Sequence, residues 1–407
     1  MKRLNGGVTA AKGFEAAAAA AGIKYQDRTD MALIYSQVPC EAAGTFTKNV
    51  VKAAPVKWDQ EVIKSGKKVQ AVIVNSGIAN ACTGSEGDDY YRQTAEAVSE
   101  YLGAAADGVL LGSTGVIGMQ LPVDRIKSGV GMLAERKNSS RENGTAAAKA
   151  IMTTDTCEKE IAVAFEVDGV TVTVGGMAKG SGMIHPDMCT MLSFITTDAV
   201  IAKETLQQAL SADVEDTYNM ISVDGDTSTN DTVLLLANGA AGNAEIKAGT
   251  VNYQQFAQAL HIINEYLAKK MAGDGEGATA LFEAKVIGAA SKEDAAVIAK
   301  SIVCSNLVKT AIAGHDANWG RILCAMGYSG AKFDPEKVDL SFESKAGKIM
   351  IMVDGTAADY SEEKATEVLS QEEVTAIADL KEGTAGATAW GCDLTHGYID
   401  INADYRS

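Results

Sequence analysis

The chain has 407 residues, a formal net charge of −17 and an apolar fraction of 46%, enough for one large or two medium domains around a real core. That charge, with a pI near 4.8, argues against nucleic acid or an anionic membrane as the main partner, because both would repel the protein. No stretch approaches the roughly 18 uninterrupted apolar residues of a membrane span, and the Met1-Lys2-Arg3 start lacks a secretory apolar region, so a cytoplasmic protein is expected.

Taken in chain order, Phe14–Ala21 is nearly pure alanine closed by Gly22, which predicts a short helix with a glycine cap. Val69–Val74 reads as a buried strand, Asp88–Leu102 as a helix, and Glu160–Val167 and Val170–Val174 as strands. Further on, Val200–Leu210, Tyr253–Met271 and Lys292–Val303 carry helical spacing, while Thr232–Leu236 and Lys348–Val353 read as strands. Strands and helices alternate without a strict βαβ rhythm, so an α/β or α+β layered fold is predicted. Five prolines against forty glycines predict regular elements joined by tight turns, with no Pro-rich linker marking a domain break.

Common nucleotide and hydrolase signatures are missing: there is no phosphate loop, no dinucleotide-binding glycine fingerprint and no Gly-x-Ser-x-Gly elbow. Seven scattered cysteines contain no Cys-x-x-Cys, and four distant histidines form no recognisable triad pattern. The pairs His185/Cys189 and Cys392/His396 share a four-residue offset. Zinc needs three or four converging ligands, so no metal is expected.

The densest chemical signal runs from Gly175 to Ile195 and reads Gly-Gly-Met-Ala-Lys-Gly-Ser-Gly-Met-Ile-His-Pro-Asp-Met-Cys-Thr-Met-Leu-Ser-Phe-Ile. Four glycines within eight residues and a His-Pro step predict a turning backbone, after which Thr190 opens a new buried strand. A threonine hydroxyl is a weak nucleophile unless a base removes its proton, and without a nearby histidine the economical base is its own α-amine. Such a base requires Thr190 to become an N-terminus. Attack of its hydroxyl on the Cys189–Thr190 peptide would give an ester that water hydrolyses.

This segment resembles the ornithine acetyltransferase family, also called glutamate N-acetyltransferases, whose glycine-rich lead-in and Thr-Met-Leu junction match here. Further family-like motifs are Val74–Gly84, Ile151–Thr156, Asp224–Thr232, Gly275–Thr279, Asn318–Arg321 and Ile401–Ser407. Asp187 and Cys189 stand where the family more often has Asn and Ala, Ile78 replaces an Asn, and Ala280 and Ala317 replace Lys and Pro.

The resemblance implies a layered fold with helices flanking stacked sheets, a self-processing N-terminal-nucleophile-like acyltransferase of the ArgJ/DmpA type. It implies cleavage between Cys189 and Thr190 into an α chain, 1–189, and a β chain, 190–407, which stay together as an α2β2 heterotetramer. Thr190 falls on the family's nucleophile, and Thr114 with Gly115, in Leu111-Gly112-Ser113-Thr114-Gly115, on its oxyanion pair. An oxyanion needs prepositioned donors, each worth roughly 3–4 kcal/mol at the transition state. On residue chemistry alone that segment is only a turn.

Substrates with an α-carboxylate need a local cation on so negative a protein, and Lys179 in the glycine loop is the best candidate. Glu276, flanked by glycines, suits an ornithine ammonium. The resemblance places substrate-binding roles on both, and on Thr153, Thr190, Asn402 and Ser407. The last two require a pinned C-terminal tail. The expected reaction is ping-pong transfer of acetyl from N-acetylornithine to glutamate in arginine biosynthesis. It needs no cofactor, and acetyl-CoA is an alternative donor in some family members. Competing readings are an N-terminal-nucleophile aminopeptidase or amidohydrolase, in which water accepts the acyl group, and an unprocessed small-molecule binding protein.

Overall fold

The computed structural model of the chain describes residues 1–185 and 191–403. The backbone divides into two units, the first formed by Met1–Gly180, 191–218 and Thr227–Leu267, the second by 181–185, Asn219–Asp226 and 268–403. Absence of a Pro-rich linker did not mean absence of a division. The chain changes units inside the glycine-rich segment after Gly180, inside a 3-10 turn after Tyr218 and inside a helix after Leu267, none of which shifts the composition.

The strands of the first unit are β1 (Lys2–Leu4), β2 (Phe14–Ala19), β3 (Met31–Phe46), β4 (Val69–Ile78), β5 (Val109–Val116), β6 (Lys159–Val167), β7 (Val170–Lys179), β8 (Leu192–Thr197) and β9 (Thr232–Ala237). They form a nine-stranded sheet in the order β1-β6-β7-β8-β9-β3-β4-β5, with β2 on β3. Its helices are α1 (Ala54–Ser65), α2 (Gly84–Leu102), α3 (Val123–Arg136), α4 (Arg141–Ala150) and α5 (Lys203–Asp216), and α6 (Val251–Gly273) begins here.

Residues 31–35 of β3 pair with β4 and 41–46 with β9, the register breaking around Pro39, which has no N–H for the ladder. β4 is an unbroken apolar run because both faces are covered: Val72 and Val74 enter one core cluster, Ala71 and Ile73 another. Each buried valine or isoleucine among them contributes about 1.5–3 kcal/mol.

The alanine-rich segment is a correction: Phe14–Ala19 is strand β2, antiparallel to β3, not a helix. Alanine's helix propensity is a weak local preference, and pairing with Met31–Ser36 under α3 and α4 overrides it. The small side chains let those helices pack closely on the strand. The strand predicted to open at Thr190 begins at Leu192, parallel to β9 and antiparallel to β7.

The second unit holds β10 (Leu281–Ala289), α7 (Lys292–Cys304), α8 (Asn306–Ala313), α9 (Trp319–Gly327), β11 (Asp339–Ser344), β12 (Gly347–Val353), β13 (Thr356–Ala357), α10 (Glu362–Leu369), β14 (Glu373–Asp379), β15 (Ala385–Cys392) and α11 (His396–Ala403). Its six strands run β13-β12-β11-β14-β10-β15. Side-chain caps fix the helix starts at Ser291, Ser305, Asn318 and Ser361. The Asn of the Asn-Trp-Gly-Arg motif is thus a cap, accepting from the Arg321 N–H at 3.1 Å.

Candidate active site

In the first unit, three residues predicted from separate motifs meet on one ammonium group. Lys179 ends β7, and its Nζ donates to Thr153 Oγ1 at 2.8 Å and to Thr114 Oγ1 at 3.2 Å. Lys179 is only 7% exposed, so the cation on which the sequence reading relied is a buried one.

Asp155, which the sequence reading left without a role, organises this cluster. Its Oδ1 accepts from Lys159 Nζ at 2.7 Å and from the Gly180 N–H at 2.6 Å. Its Oδ2 accepts from the Thr153 N–H at 3.0 Å and lies 3.8 Å from Lys179 Nζ. Burial alone would push this carboxyl up. The Lys179 and Lys159 ammonium groups and the hydrogen bonds outweigh burial and hold the carboxyl well below the usual carboxylate range. An Asp four residues before the lysine that directly precedes the predicted strand Glu160–Val167 was the available signal.

Thr114 and Gly115 belong to strand β5, not to a turn, and lie opposite Ser76 and Gly77 of β4. Gly115 has φ +128°, and a Cβ there would lie 2.3 Å from the Gly77 carbonyl carbon, so only glycine fits. Next to them, Ser113 is held by Tyr91 and Asn75 through side-chain hydrogen bonds. Asn230 Nδ2 clamps the Ala79 carbonyl at 2.7 Å and the Ser113 carbonyl at 2.9 Å. Gly175 and Gly176, expected in a turning backbone, lie within β7. A Cβ on Gly175 would come to 2.1 Å of the Gly7 carbonyl oxygen, and one on Gly176 to 2.8 Å of the Ile263 side chain of α6, so close approach of the Gly7 backbone and of α6 is their reason.

In the second unit, the lead-in segment is fastened at several points. Asp224 accepts from the Met183 and Ile184 N–H groups at 2.6 and 2.8 Å, and the Ser181 carbonyl accepts from the Glu276 N–H at 2.8 Å. Gly182 makes room for Glu276, whose carboxyl carbon would stand 2.3 Å from an added Cβ. Asn402 Nδ2 donates to Glu276 Oε2 at 2.7 Å. α11 itself is tied down by Thr395 Oγ1 on the Gly277 carbonyl and by Tyr398 on Asp224. The expected pinning of the C-terminal region therefore holds as far as Asn402. His185 Nδ1 lies 3.1 Å from Ser222 Oγ and 3.4 Å from Cys304 Sγ, a cluster with no sequence signature.

Cys189, Thr190 and Ser407 lie outside the described residues. Among the described residues no group of three or more His, Cys, Asp or Glu side chains is arranged to hold a metal. Nor is any single helix among them long and apolar enough to cross a membrane.

Residues 15–407 match the ArgJ family. The arginine biosynthesis bifunctional protein ArgJ of Thermotoga neapolitana is 50% identical over 97% of this chain and 99% of its own length. That of Caldanaerobacter subterraneus is 49% identical over the full length of both. A crystal structure of the Bacillus halodurans protein of the same name, 47% identical, aligns with a TM-score of 0.51 and covers 53% of this chain and 99% of its own. A profile spanning nearly the whole chain, and relatives at half identity over full length, show that the chain belongs to the ArgJ family of arginine-biosynthetic acetyltransferases.

Proposed function

We propose that the protein cuts itself between Cys189 and Thr190 and uses the freed Thr190 to carry acetyl from N2-acetyl-L-ornithine to L-glutamate. Thr190 Oγ attacks the acetyl carbonyl while its own α-amine takes the hydroxyl proton. The Thr114 hydroxyl and Gly115 N–H donate to the oxyanion, ornithine leaves with the proton, and the glutamate amine then attacks the acetyl ester. Lys179 meets the substrate α-carboxylate and Glu276 the ornithine side-chain ammonium, with Thr153, Asn402 and Ser407 giving neutral hydrogen bonds. No cofactor takes part. The relatives' shared description as bifunctional favours acetyl-CoA as a second acetyl donor.

The observation that carries this reading is the convergence of Thr114 and Thr153 on the Lys179 ammonium. A buried ammonium beside the Thr114 hydroxyl is the arrangement that a carboxylate site next to an oxyanion donor requires. Residues 190–407 make up 218 of the 407 residues, close to the 53% of this chain that the Bacillus halodurans chain covers, which supports a break at that point. The resulting α and β fragments assemble as α2β2 in the cytoplasm.

Intact mass of the purified protein tests the cut, with Thr190→Ala expected to stay whole. Parallel-line kinetics and one acetyl gained on the Thr190 fragment are expected during turnover. Intersecting lines without an adduct, or release of free acetate in place of acetylglutamate, would defeat the scheme.

A further inference from the structure

Gly77 and Gly115 stand opposite each other on β4 and β5, and both have positive φ, +101° and +128°. Two neighbouring strands therefore bend at the same level, in a region of backbone space that side chains disfavour. Such a bend persists where the surrounding structure holds both of its sides. One side chain does so here. Asn230, just ahead of β9, donates from Nδ2 to the Ser113 carbonyl at 2.9 Å, before the bend in β5, and to the Ala79 carbonyl at 2.7 Å, after the bend in β4.

The amide has one possible orientation. Both partners of Nδ2 are carbonyls, which only accept, and Oδ1 accepts from the Thr229 hydroxyl at 2.6 Å. Both amide hydrogens are committed, so Asn230 acts on the site through the groups it holds. The Ser113 C=O and the Thr114 N–H share one peptide plane, and fixing the oxygen sets the direction in which the chain runs on to Thr114 and Gly115. Tyr91 and Asn75 hold the Ser113 hydroxyl as well. Thr114 Oγ1 accepts from Lys179 Nζ at 3.2 Å, a bond that uses an oxygen lone pair and not the hydroxyl hydrogen.

We propose that Asn230 is a positioning residue for the oxyanion site: by joining the Ser113 and Ala79 carbonyls across the paired bends, it aims the Thr114 hydroxyl and the Gly115 N–H at the carbonyl oxygen of the acyl group. This rests on the role given to Thr114 and Gly115 above. Prepositioned donors are effective because they need not turn toward the charge as it develops. Loosening the Ser113–Thr114 peptide therefore harms the transition state and leaves ground-state binding nearly intact.

Asn143 supplies a matched control. Its Nδ2 also bridges two carbonyls, those of Ala16 at 2.8 Å and Arg136 at 2.9 Å, but at the start of α4, the end away from Thr153. Asn143→Ala should lower the melting temperature and leave kcat within about twofold. Asn230→Ala should be cut as the wild type is, melt cooperatively and keep KM for both substrates within about twofold. Its kcat should fall roughly ten- to a hundredfold, short of the about hundred- to thousandfold loss that follows removal of an oxyanion donor. An unchanged kcat in Asn230→Ala, or equal losses in the two variants, overturns the proposal. So does a folded Asn230→Ala chain that stays uncut, which would give the clamp a part in the cutting itself.

A spectroscopic signature separates aim from stability. In enzyme given isotopically labelled acetylornithine without glutamate, the ester carbonyl stretch of the acetyl-enzyme reports how strongly the donors pull on its oxygen. That band should rise in Asn230→Ala and in Thr114→Val, and stay in place in Asn143→Ala. A rise in Thr114→Val alone overturns the proposal and spares the oxyanion assignment. A band unmoved in both defeats that assignment and the proposal with it. Wild type without an acetyl-enzyme band defeats the ping-pong scheme, and the kcat comparison then decides the role of Asn230. Tyr91→Phe loosens the Ser113 hydroxyl and leaves the clamp in place, so it is the variant to read if Asn230→Ala does not melt cooperatively. Its band should rise too, and an unmoved one overturns the proposal.

Discussion

Lys159 and Asp155 form an ion pair at 2.7 Å in which neither side chain is reached by solvent. Two charges removed from water are held only because they are paired, and deleting Lys159 takes from Asp155 its nearest cation and leaves Lys179 at 3.8 Å. Lys159→Met should cost about 3–5 kcal/mol of unfolding free energy, read from urea denaturation. A loss under 1 kcal/mol would show that the pair does not carry the strain of its burial.

The same carboxylate sets an acid dependence. Its folded value is depressed, so its contribution to stability is complete above the unfolded value, near about pH 4, and is lost as pH falls toward the lower folded value. Melting temperature should therefore drop steeply below about pH 4 in the wild type. In Asp155→Asn the drop should be shallower. Parallel curves would remove Asp155 as a source of the acid limb.

Two glycines separate a rigid from a yielding obstacle. At Gly115 an added Cβ meets the Gly77 backbone at 2.3 Å and the residue has φ +128°, so Gly115→Ala strains both strands. It should cost of order 1–3 kcal/mol and abolish turnover. At Gly182 the obstacle is the Glu276 carboxyl, the end of a flexible side chain. Gly182→Ala should leave the melting temperature nearly unchanged yet raise the apparent KM for acetylornithine about tenfold, roughly the 1.4 kcal/mol expected of one weakened charged hydrogen bond. Equal effects of the two substitutions on stability would contradict this distinction.

The C-terminal helix offers a third test through Asn402, whose amide donates to Glu276 at 2.7 Å. Asn402→Ala frees the carboxylate to turn away, and removal of Asp404–Ser407 takes off the segment that follows. Each should raise the Michaelis constant for acetylornithine, with Asn402→Ala doing so at nearly constant kcat. Unchanged kinetics after both changes would exclude the tail from substrate binding.

What the sequence disclosed, and what it hid, follows from where the determining forces lie. Val69–Val74 and the helices at Tyr253–Met271 and Lys292–Val303 were legible because their burial patterns are continuous or periodic along the chain. β2 was not, since six residues from Phe14 to Ala19 acquire their conformation from Met31–Ser36, outside any local window. Thr114, Thr153 and Lys179 could be named from motifs. Their meeting at one ammonium depends on β5, the turn after α4 and the end of β7 converging, which spacing does not encode. Asp155 and Asp231 were passed over because an aspartate in a sequence reads as solvent-facing, and only packing shows both buried, the first paired with Lys159 and the Gly180 N–H.

The sheet predicts how a cut protein behaves. β8, which follows the junction, is flanked by β7, which precedes it, and by β9, which follows it. Residues 192–197 pair antiparallel with Val174–Lys179, and Glu41–Phe46 of β3 pair with the far side of β9. Strands from both sides of Cys189–Thr190 thus alternate within one ladder, and separating the fragments would expose backbone groups and the apolar residues Phe194, Ile195, Leu234 and Leu236. Hydrolysis of one peptide bond between Lys179 and Leu192 in the sequence removes none of those pairings. Native mass spectrometry should therefore find the two fragments together, with one melting transition close to that of the uncut Thr190→Ala chain. The fragments should part only in denaturant, at the concentration where the sheet's circular dichroism is lost. Dissociation in dilute native buffer, or two separate transitions, would show that the interleaved ladder does not hold the halves together.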